Sequence, residues 1–157
     1  MTGWKPEGLA APVNVRRILP REMADTPSAP ATSPEGRFHH SGQVAAYASL
    51  SAEGAAVAIK RYLDVPIARV LVAMRLEAGR IADERGNSAA SVVWQDIRAA
   101  GDPSPAWAIS DAARQAGAQA MLYSSRSRPD LAHVVVFEPD CLRYIGPTTT
   151  FPGAAEE

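Results

Sequence analysis

Three short groups of polar and aromatic residues have the types and spacing to support chemistry on a bound molecule. They are Gly36-Arg37-Phe38-His39 with Tyr47-Ala48-Ser49 downstream, residues 110–117, and Tyr123-Ser124-Ser125-Arg126 with His133 downstream. Arginine suits a phosphate or diphosphate because its planar guanidinium offers paired donors and keeps its charge. Arg37, which follows a long loop, and Arg17 farther upstream are therefore candidate ligands of an anionic group.

The other candidate residues each have a purely structural alternative. Tyr47 either packs its ring against a bound molecule or is a core residue of a strand. Ser124 and Arg126 either contact a phosphate or a ribose or are ordinary turn residues. His133 fits the start of a strand better than a catalytic role. The residues alone leave these alternatives open.

Standard motifs for metals, nucleotides and hydrolases do not occur in the chain. There is no Gly-x-Gly-x-x-Gly, Walker loop, Cys-x-x-Cys, His-Glu-x-x-His or Gly-x-Ser-x-Gly. His39 and His40 are adjacent, so their side chains point apart, and no third ligand stands at a diagnostic spacing. The sequence therefore predicts no metal site.

The composition is that of an ordinary globular domain. The 157 residues are 46% hydrophobic and 21% charged, which suffices for one domain with its own core. A formal net charge of -1 provides no basic excess for nucleic acid. The single cysteine, Cys141, cannot form an internal disulfide and fits a buried thiol better than a nucleophile. No apolar run reaches the ~18 residues of a membrane span, and residues 1–11 do not resemble a signal peptide. We therefore expect a cytoplasmic protein without membrane contact.

The elements that must position the candidate residues are predicted from hydrophobic periodicity and capping signals. Strands are expected at residues 13–19, 45–49, 68–76, 120–123, 134–137 and 142–145. Helices are expected at residues 52–62 after the cap residue Ser51, at 91–100, and from Pro105 towards Gly117 with a second start at Ser110. Residues 20–36 predict a long loop rich in proline, serine and alanine.

The order of these elements favours an α+β fold. Strands stand at both ends of the chain with helices between them, and there is no steady alternation of strand and helix. We expect a single compact domain over residues 13–146, with a mixed or antiparallel sheet and flanking helices. Residues 1–12 and 147–157 are expected to be irregular tails.

In their order and distances, the three groups resemble the RES domain family, which is named for its Arg, Glu and Ser. The resemblance extends over residues 13–139. The family pattern also includes an arginine near the first strand, and Arg17 is the better match to that arginine. It implies a fold like that of ADP-ribosyltransferases and an activity that consumes NAD, by hydrolysis, phosphorolysis or transfer of ADP-ribose to a protein acceptor. It also implies a toxin of a toxin–antitoxin pair, neutralised by a Xre-like antitoxin that blocks the active site.

The resemblance implies roles for particular residues in breaking the bond between nicotinamide and ribose. That reaction passes through an oxocarbenium-like state, and the leaving group is already cationic, so no acid has to protonate it. Arg37 and Arg17 would hold the diphosphate of NAD, and Tyr47 would orient the nicotinamide. Ser124 and Arg126 would contact the substrate. NAD is then a substrate, and no metal is implied.

One carboxylate that the resemblance implies is missing. Family members have a Glu about three turns into the helix after the Tyr strand, and Ala58 holds that place here. Glu53 lies five residues earlier, and is either a substitute catalytic carboxylate or a capping residue of the helix start. Three functions stay open: an NAD-cleaving RES toxin, a weakened relative that binds only NAD or its antitoxin, and an unrelated α+β interaction module. A homodimer is also left open.

Overall fold

The secondary structure has strands at both ends of the chain and helices between them. The computed structural model describes residues 12–60 and 63–151. The strands are β1 (Val13–Pro20), β2 (Ala46–Ser49), β3 (Arg69–Leu76), β4 (Ile81–Asp83), β5 (Ala120–Ser124), β6 (Ala132–Val136) and β7 (Leu142–Phe151). The helices are α1 (Ala52–Ala58), α2 (Trp94–Ala99) and α3 (Pro105–Gln115).

The seven strands form one sheet in the order β4-β5-β6-β2-β1-β3-β7. Every neighbouring pair is antiparallel except β4 and β5, which are parallel. The mixed, mainly antiparallel sheet with its helices confirms the predicted α+β class. No helix among the described residues has the length and apolar character of a membrane span.

Alternation along the strands divides the core between two faces of the sheet. The first face carries mainly aliphatic side chains, including Val15, Val72, Met74, Leu122, Val134 and Val136. The second face packs against α3 and the loop before β2, through Phe38, Ala106, Ala113, Met121, Tyr123 and Val135. Because β2 pairs with β6, Tyr47 lies opposite Val135 and Ser49 lies opposite His133. The register therefore brings these polar side chains to the second face.

The helices begin where the capping signals predict. The Ser51 hydroxyl accepts a hydrogen bond from the Gly54 amide at 2.9 Å and starts α1. The Ser104 hydroxyl accepts from the Ala106 amide at 3.3 Å, with Pro105 in the first turn of α3. α1 packs on β1 and β2. The helix therefore covers two central strands of the sheet.

Three helix boundaries differ from the sequence predictions. α1 ends at Ala58, and residues 61–62 lie outside the described residues. α2 begins only at Trp94, because a short 3-10 turn at Ser88–Ser91 precedes it. α3 runs through Ser110 without a break, since the buried hydroxyl bonds back to carbonyls one turn earlier and caps nothing.

The C-terminal strand is longer than predicted. β7 pairs with β3 as far as Phe151, so residues 147–151 are strand and not an irregular tail. β7 is one of the two edge strands of the sheet, where proline is tolerated because one side of the strand has no partner. The short strand β4 has no counterpart in the sequence prediction. The tails expected at residues 1–11 and 152–157 lie outside the described residues.

Candidate functional site

A cavity of about 610 Å³ is bordered by β1, β2, the loop before β2, the end of α1, the start of α2 and the β5–β6 turn. Arg37 and Tyr47, to which the resemblance assigns the two ends of NAD, both line it. So do Arg17 and Arg126. A cavity of this size falls in the range of small-molecule sites.

Arg37 is held at the cavity wall by contacts that leave part of its guanidinium available. Its Nη1 donates to the carbonyls of Ala90 and Val92, at 3.3 and 3.2 Å. The guanidinium carbon lies 5.9 Å from the centroid of the Tyr123 ring. Nε and Nη2 make no hydrogen bond to the described residues, so they remain as donors for an anionic ligand.

Tyr47 is fixed through its hydroxyl by the loop that carries Arg37. The hydroxyl accepts from the Phe38 amide at 2.9 Å and donates to His39 Nδ1 at 2.7 Å, while His39 Nε2 donates to the Ser33 carbonyl at 2.9 Å. Burial raises the pKa of the Tyr47 hydroxyl well above its usual range and lowers the pKa of His39. Both groups are therefore neutral at pH 7, and they position the loop without adding charge.

Gly36 permits this close packing. A Cβ atom at this position would overlap the His39 ring and lie 2.9 Å from the Tyr47 hydroxyl. The Gly36 carbonyl also accepts from the Trp107 indole at 2.9 Å. Glycine is therefore required before Arg37 because the side chains of His39 and Tyr47 approach its backbone closely, and not because of a special backbone angle.

Residues 110–117 clamp the same loop from outside the cavity. Asp111 accepts from His40 Nε2 at 3.0 Å and from Gln43 Nε2 at 2.9 Å. Arg114 donates to the carbonyls of Phe38 and Val44, at 2.8 and 2.9 Å. This group of residues therefore positions the loop that holds Arg37, and it contributes no side chain to the cavity.

Arg17 borders the cavity, but most of its donors are occupied by the backbone. Its Nε donates to the Tyr47 carbonyl at 2.8 Å, and its Nη1 donates to the carbonyls of Pro27 and Ala29 at 2.7 and 2.9 Å. Burial lowers the pKa of Arg17 to about 10, so the side chain stays charged at pH 7. These contacts tie the proline-rich loop to β1 and β2 and leave only Nη2 for a ligand.

Replacing Arg17 by methionine is expected to destabilise the fold. Methionine keeps much of the apolar stem but leaves three carbonyls without their charged donor, at a cost of about 2–3 kcal/mol. Thermal unfolding should show a melting temperature lower by roughly 5–10 °C. Limited proteolysis should cut first within residues 21–36. Arg143→Met, at an exposed arginine of β7, is the matched control. An unchanged melting temperature for Arg17→Met would show that the carbonyls do not depend on this side chain.

Strand alternation places the side chains of the neighbouring Arg16 and Arg17 on opposite faces of the sheet. Arg16 lies directly opposite Ser49 in the β1–β2 pair, so its side chain shares the second face with Ser49. Arg17 alternates to the face of Val15 and Leu19. Arg16 lines the cavity, and its one hydrogen bond to a described residue is to the Val15 carbonyl, at 3.3 Å. The sequence analysis did not single it out.

The neighbouring Ser124 and Ser125 differ in their position relative to the cavity. Ser124 does not line the cavity; its hydroxyl accepts from the Gly86 amide at 2.9 Å. Ser125 is buried and lines the cavity, where its hydroxyl accepts from the Arg128 amide at 3.2 Å. Arg126 is exposed at the rim. The structure thus places Ser125 where the sequence analysis expects Ser124.

The positions of the carboxylates relative to the cavity differ from those predicted from the sequence. Glu53 is exposed, does not line the cavity, and pairs with Arg128 at 3.0 Å. Ala58, at the place of the missing Glu, does line it. Among the described residues, Glu35 is the one acidic residue in the lining, and Arg98 binds both of its oxygens at 3.1 Å. That hydrogen bonding lowers the pKa of Glu35.

A buried pair of polar side chains completes the wall. Ser49 Oγ and His133 Nδ1 lie 2.7 Å apart on paired strands, and both residues line the cavity. The His133 ring also packs against Tyr123, with centroids 5.4 Å apart. Within the described part of the chain, no group of three or more His, Cys, Asp or Glu residues is arranged to hold a metal.

The geometry defines a single α+β domain with a polar, mainly cationic cavity on one face of its sheet. The chain belongs to the RES domain family, whose model matches residues 14–153. This membership excludes the alternative of an unrelated interaction module.

Known structures agree with this fold. A chain of the crystal structure of the M. tuberculosis MbcT–MbcA toxin–antitoxin complex is similar, with a TM-score of 0.63 and 16% sequence identity. The similarity covers 89% of this chain and 84% of that one. No curated protein matches the sequence.

Proposed function

We propose that this protein binds NAD and breaks its bond between nicotinamide and ribose. The charge of the cavity is the observation that carries the proposal. Five basic residues line it (Arg16, Arg17, Arg37, Lys60 and Arg126), against Glu35, whose charge Arg98 neutralises. A half-enclosed cationic cavity with aromatic and hydroxyl side chains suits a ligand that joins a diphosphate to flat rings.

Arg37 is the central residue of this proposal. Its free Nε and Nη2 would hold the diphosphate, helped by Arg16 and the rim residue Arg126. Tyr47, rigidly held by Phe38 and His39, would orient the nicotinamide and ribose. Holding both ends of NAD fixes the scissile bond relative to the wall, which lowers the entropic cost of reaction. Leaving-group departure needs no acid, because the nicotinamide ring departs as a neutral molecule.

The biological role that fits this activity is that of a toxin with a dedicated inhibitor. A cytoplasmic enzyme that drains NAD harms its own cell, so it requires a partner that blocks it. Family membership and the similarity to a chain of a toxin–antitoxin complex support this proposal. The partner would be a Xre-like antitoxin that covers the cavity. If the reaction transfers ADP-ribose to a protein, that acceptor protein is a further partner.

The test is to incubate the pure protein with NAD and identify the products, with and without inorganic phosphate. We expect release of nicotinamide, with ADP-ribose as the product of hydrolysis or its phosphate ester as the product of phosphorolysis. NADH is the control, because its uncharged dihydronicotinamide is a poor leaving group and should not be released. Absence of any NAD binding would overturn the proposal.

A second candidate is a relative that binds NAD or its antitoxin without turnover. Ala58 favours it, because the cavity lacks a carboxylate at this place and Glu53 lies outside. Saturable NAD binding by calorimetry, with no release of nicotinamide over many hours, would select this candidate.

A further inference from the structure

His133 is a buried imidazole with one nitrogen directed to the cavity. The residue is only 5% exposed and lines the cavity wall. Its Nδ1 is fixed by Ser49 Oγ at 2.7 Å. Its Nε2 makes no hydrogen bond to any described residue and is not enclosed by protein atoms, so it opens onto the cavity. Because this nitrogen has no partner among the described residues, it is available to a molecule bound in the cavity.

The other groups of the lining that could accept a proton are already engaged. Both oxygens of Glu35 bind Arg98, which makes its carboxylate a weak base. Both ring nitrogens of His39 are used, one by Tyr47 and one by Ser33. Among the described lining residues, this leaves His133 Nε2 as the ring nitrogen that is free to act.

The surroundings of His133 keep it neutral. Burial, followed by the nearby charge of Arg37, lowers the pKa of His133 to about 4. The ring is therefore neutral at pH 7 and can accept a second proton. The remaining neighbours add no charge, since Ser49 is a hydroxyl and burial raises the pKa of Tyr123 to about 12. An anion bound to Arg37 would offset the charge that opposes protonation, so ligand binding makes His133 a stronger base.

We propose that His133 Nε2 accepts the proton of the hydroxyl that attacks the ribose, with Ser49 as the residue that positions the ring. This inference rests on the proposed cleavage of NAD. The bond between the ribose carbon and the nicotinamide nitrogen breaks, and its electron pair leaves with neutral nicotinamide. The oxygen of water forms the new bond to the ribose carbon, and its proton passes to Nε2 and then to solvent. This role requires the tautomer in which Nδ1–H donates to Ser49 Oγ and Nε2 is the acceptor, and the 2.7 Å contact accommodates it.

The test compares wild type with His133→Asn. Asparagine can keep a polar contact to Ser49 but has no basic nitrogen at the position of Nε2. We expect NAD affinity to change less than threefold and the rate of hydrolysis to fall by about 100-fold, the lower end for loss of a general base. Azide carries no proton to remove, so the rate of ADP-ribosyl azide formation should be similar in the two proteins. Thr149→Asn, at an exposed residue of β7 that does not line the cavity, is the control and should behave as wild type.

The outcomes separate this inference from the proposed function. If wild type releases nicotinamide and His133→Asn does so equally fast, the role of His133 is overturned and the function stands. If His133→Asn loses the water and azide reactions alike, or loses NAD binding, the histidine is structural and the inference fails. If wild type does not cleave NAD, both are overturned. Melting temperatures of both variants, measured alongside, verify that the folded proteins are compared.

Discussion

Replacing Ala58 by glutamate is expected to raise the rate of NAD cleavage by roughly 20- to 500-fold. Ala58 is the last residue of α1, is exposed, and lines the cavity. A carboxylate there would stabilise the positive charge that develops on the ribose. By analogy with a single oxyanion-hole donor, this is worth roughly 2.7–4 kcal/mol. The end of a helix disfavours a negative charge by only about 0.3–1 kcal/mol. The net effect is therefore a gain.

The measurement is nicotinamide release by the purified variant, together with growth of bacteria that express it without an antitoxin. Both the rate and the toxicity should rise. Ala52→Glu is the matched control, because it adds the same charge to an exposed alanine of the same helix away from the cavity. A folded Ala58→Glu protein with no gain would mean that another group supplies the charge or that the protein only binds NAD.

Reversing the charge of Arg37 is expected to weaken NAD and antitoxin binding together. Arg37→Glu removes the two guanidinium nitrogens that make no hydrogen bond to the described residues, and it puts a negative charge where the diphosphate would bind. The loss of charge-assisted hydrogen bonds alone costs about 3 kcal/mol, which corresponds to an affinity loss of about 100-fold. An antitoxin that inserts a carboxylate or a carboxyl terminus into the same cationic cavity would lose a similar amount.

Isothermal titration with NAD and with the antitoxin measures both affinities on the same protein. Arg80→Glu is the control, since it reverses an exposed arginine that does not line the cavity. Loss of NAD binding with unchanged antitoxin affinity would show that inhibition does not work by filling the cavity. The assignment of Arg37 to the diphosphate would then stand without the shared-pocket model of inhibition.

Local signals account for much of the fold that could be predicted. β1 and β6 are β-branched runs, and the starts of α1 and α3 carry capping residues, so their positions follow from short-range preferences. Strand β4 has only three residues and no local signal, and its pairing with β5 is a long-range contact. The extension of β7 to Phe151 likewise depends on pairing with β3 and not on its own residues.

The residues of the candidate site could likewise be predicted only in part from the sequence. The sequence was sufficient to single out Arg37, because a polar run after a long loop is visible without knowing the fold. It could not show that Arg16 lines the cavity beside Arg17, because strand alternation places the two side chains on opposite faces of the sheet. It also could not show that Ser125, and not Ser124, lines the cavity.

The sequence by itself determined the family, the α+β class and the presence of the basic residue Arg37 after a long loop. The tertiary structure alone decided that Glu53 lies outside the cavity and Glu35 inside it. It also decided that Ser49 and His133, 84 residues apart along the chain, meet across two strands. Their contact is set by strand pairing at long range, and spacing along the chain carries no information about such a pairing.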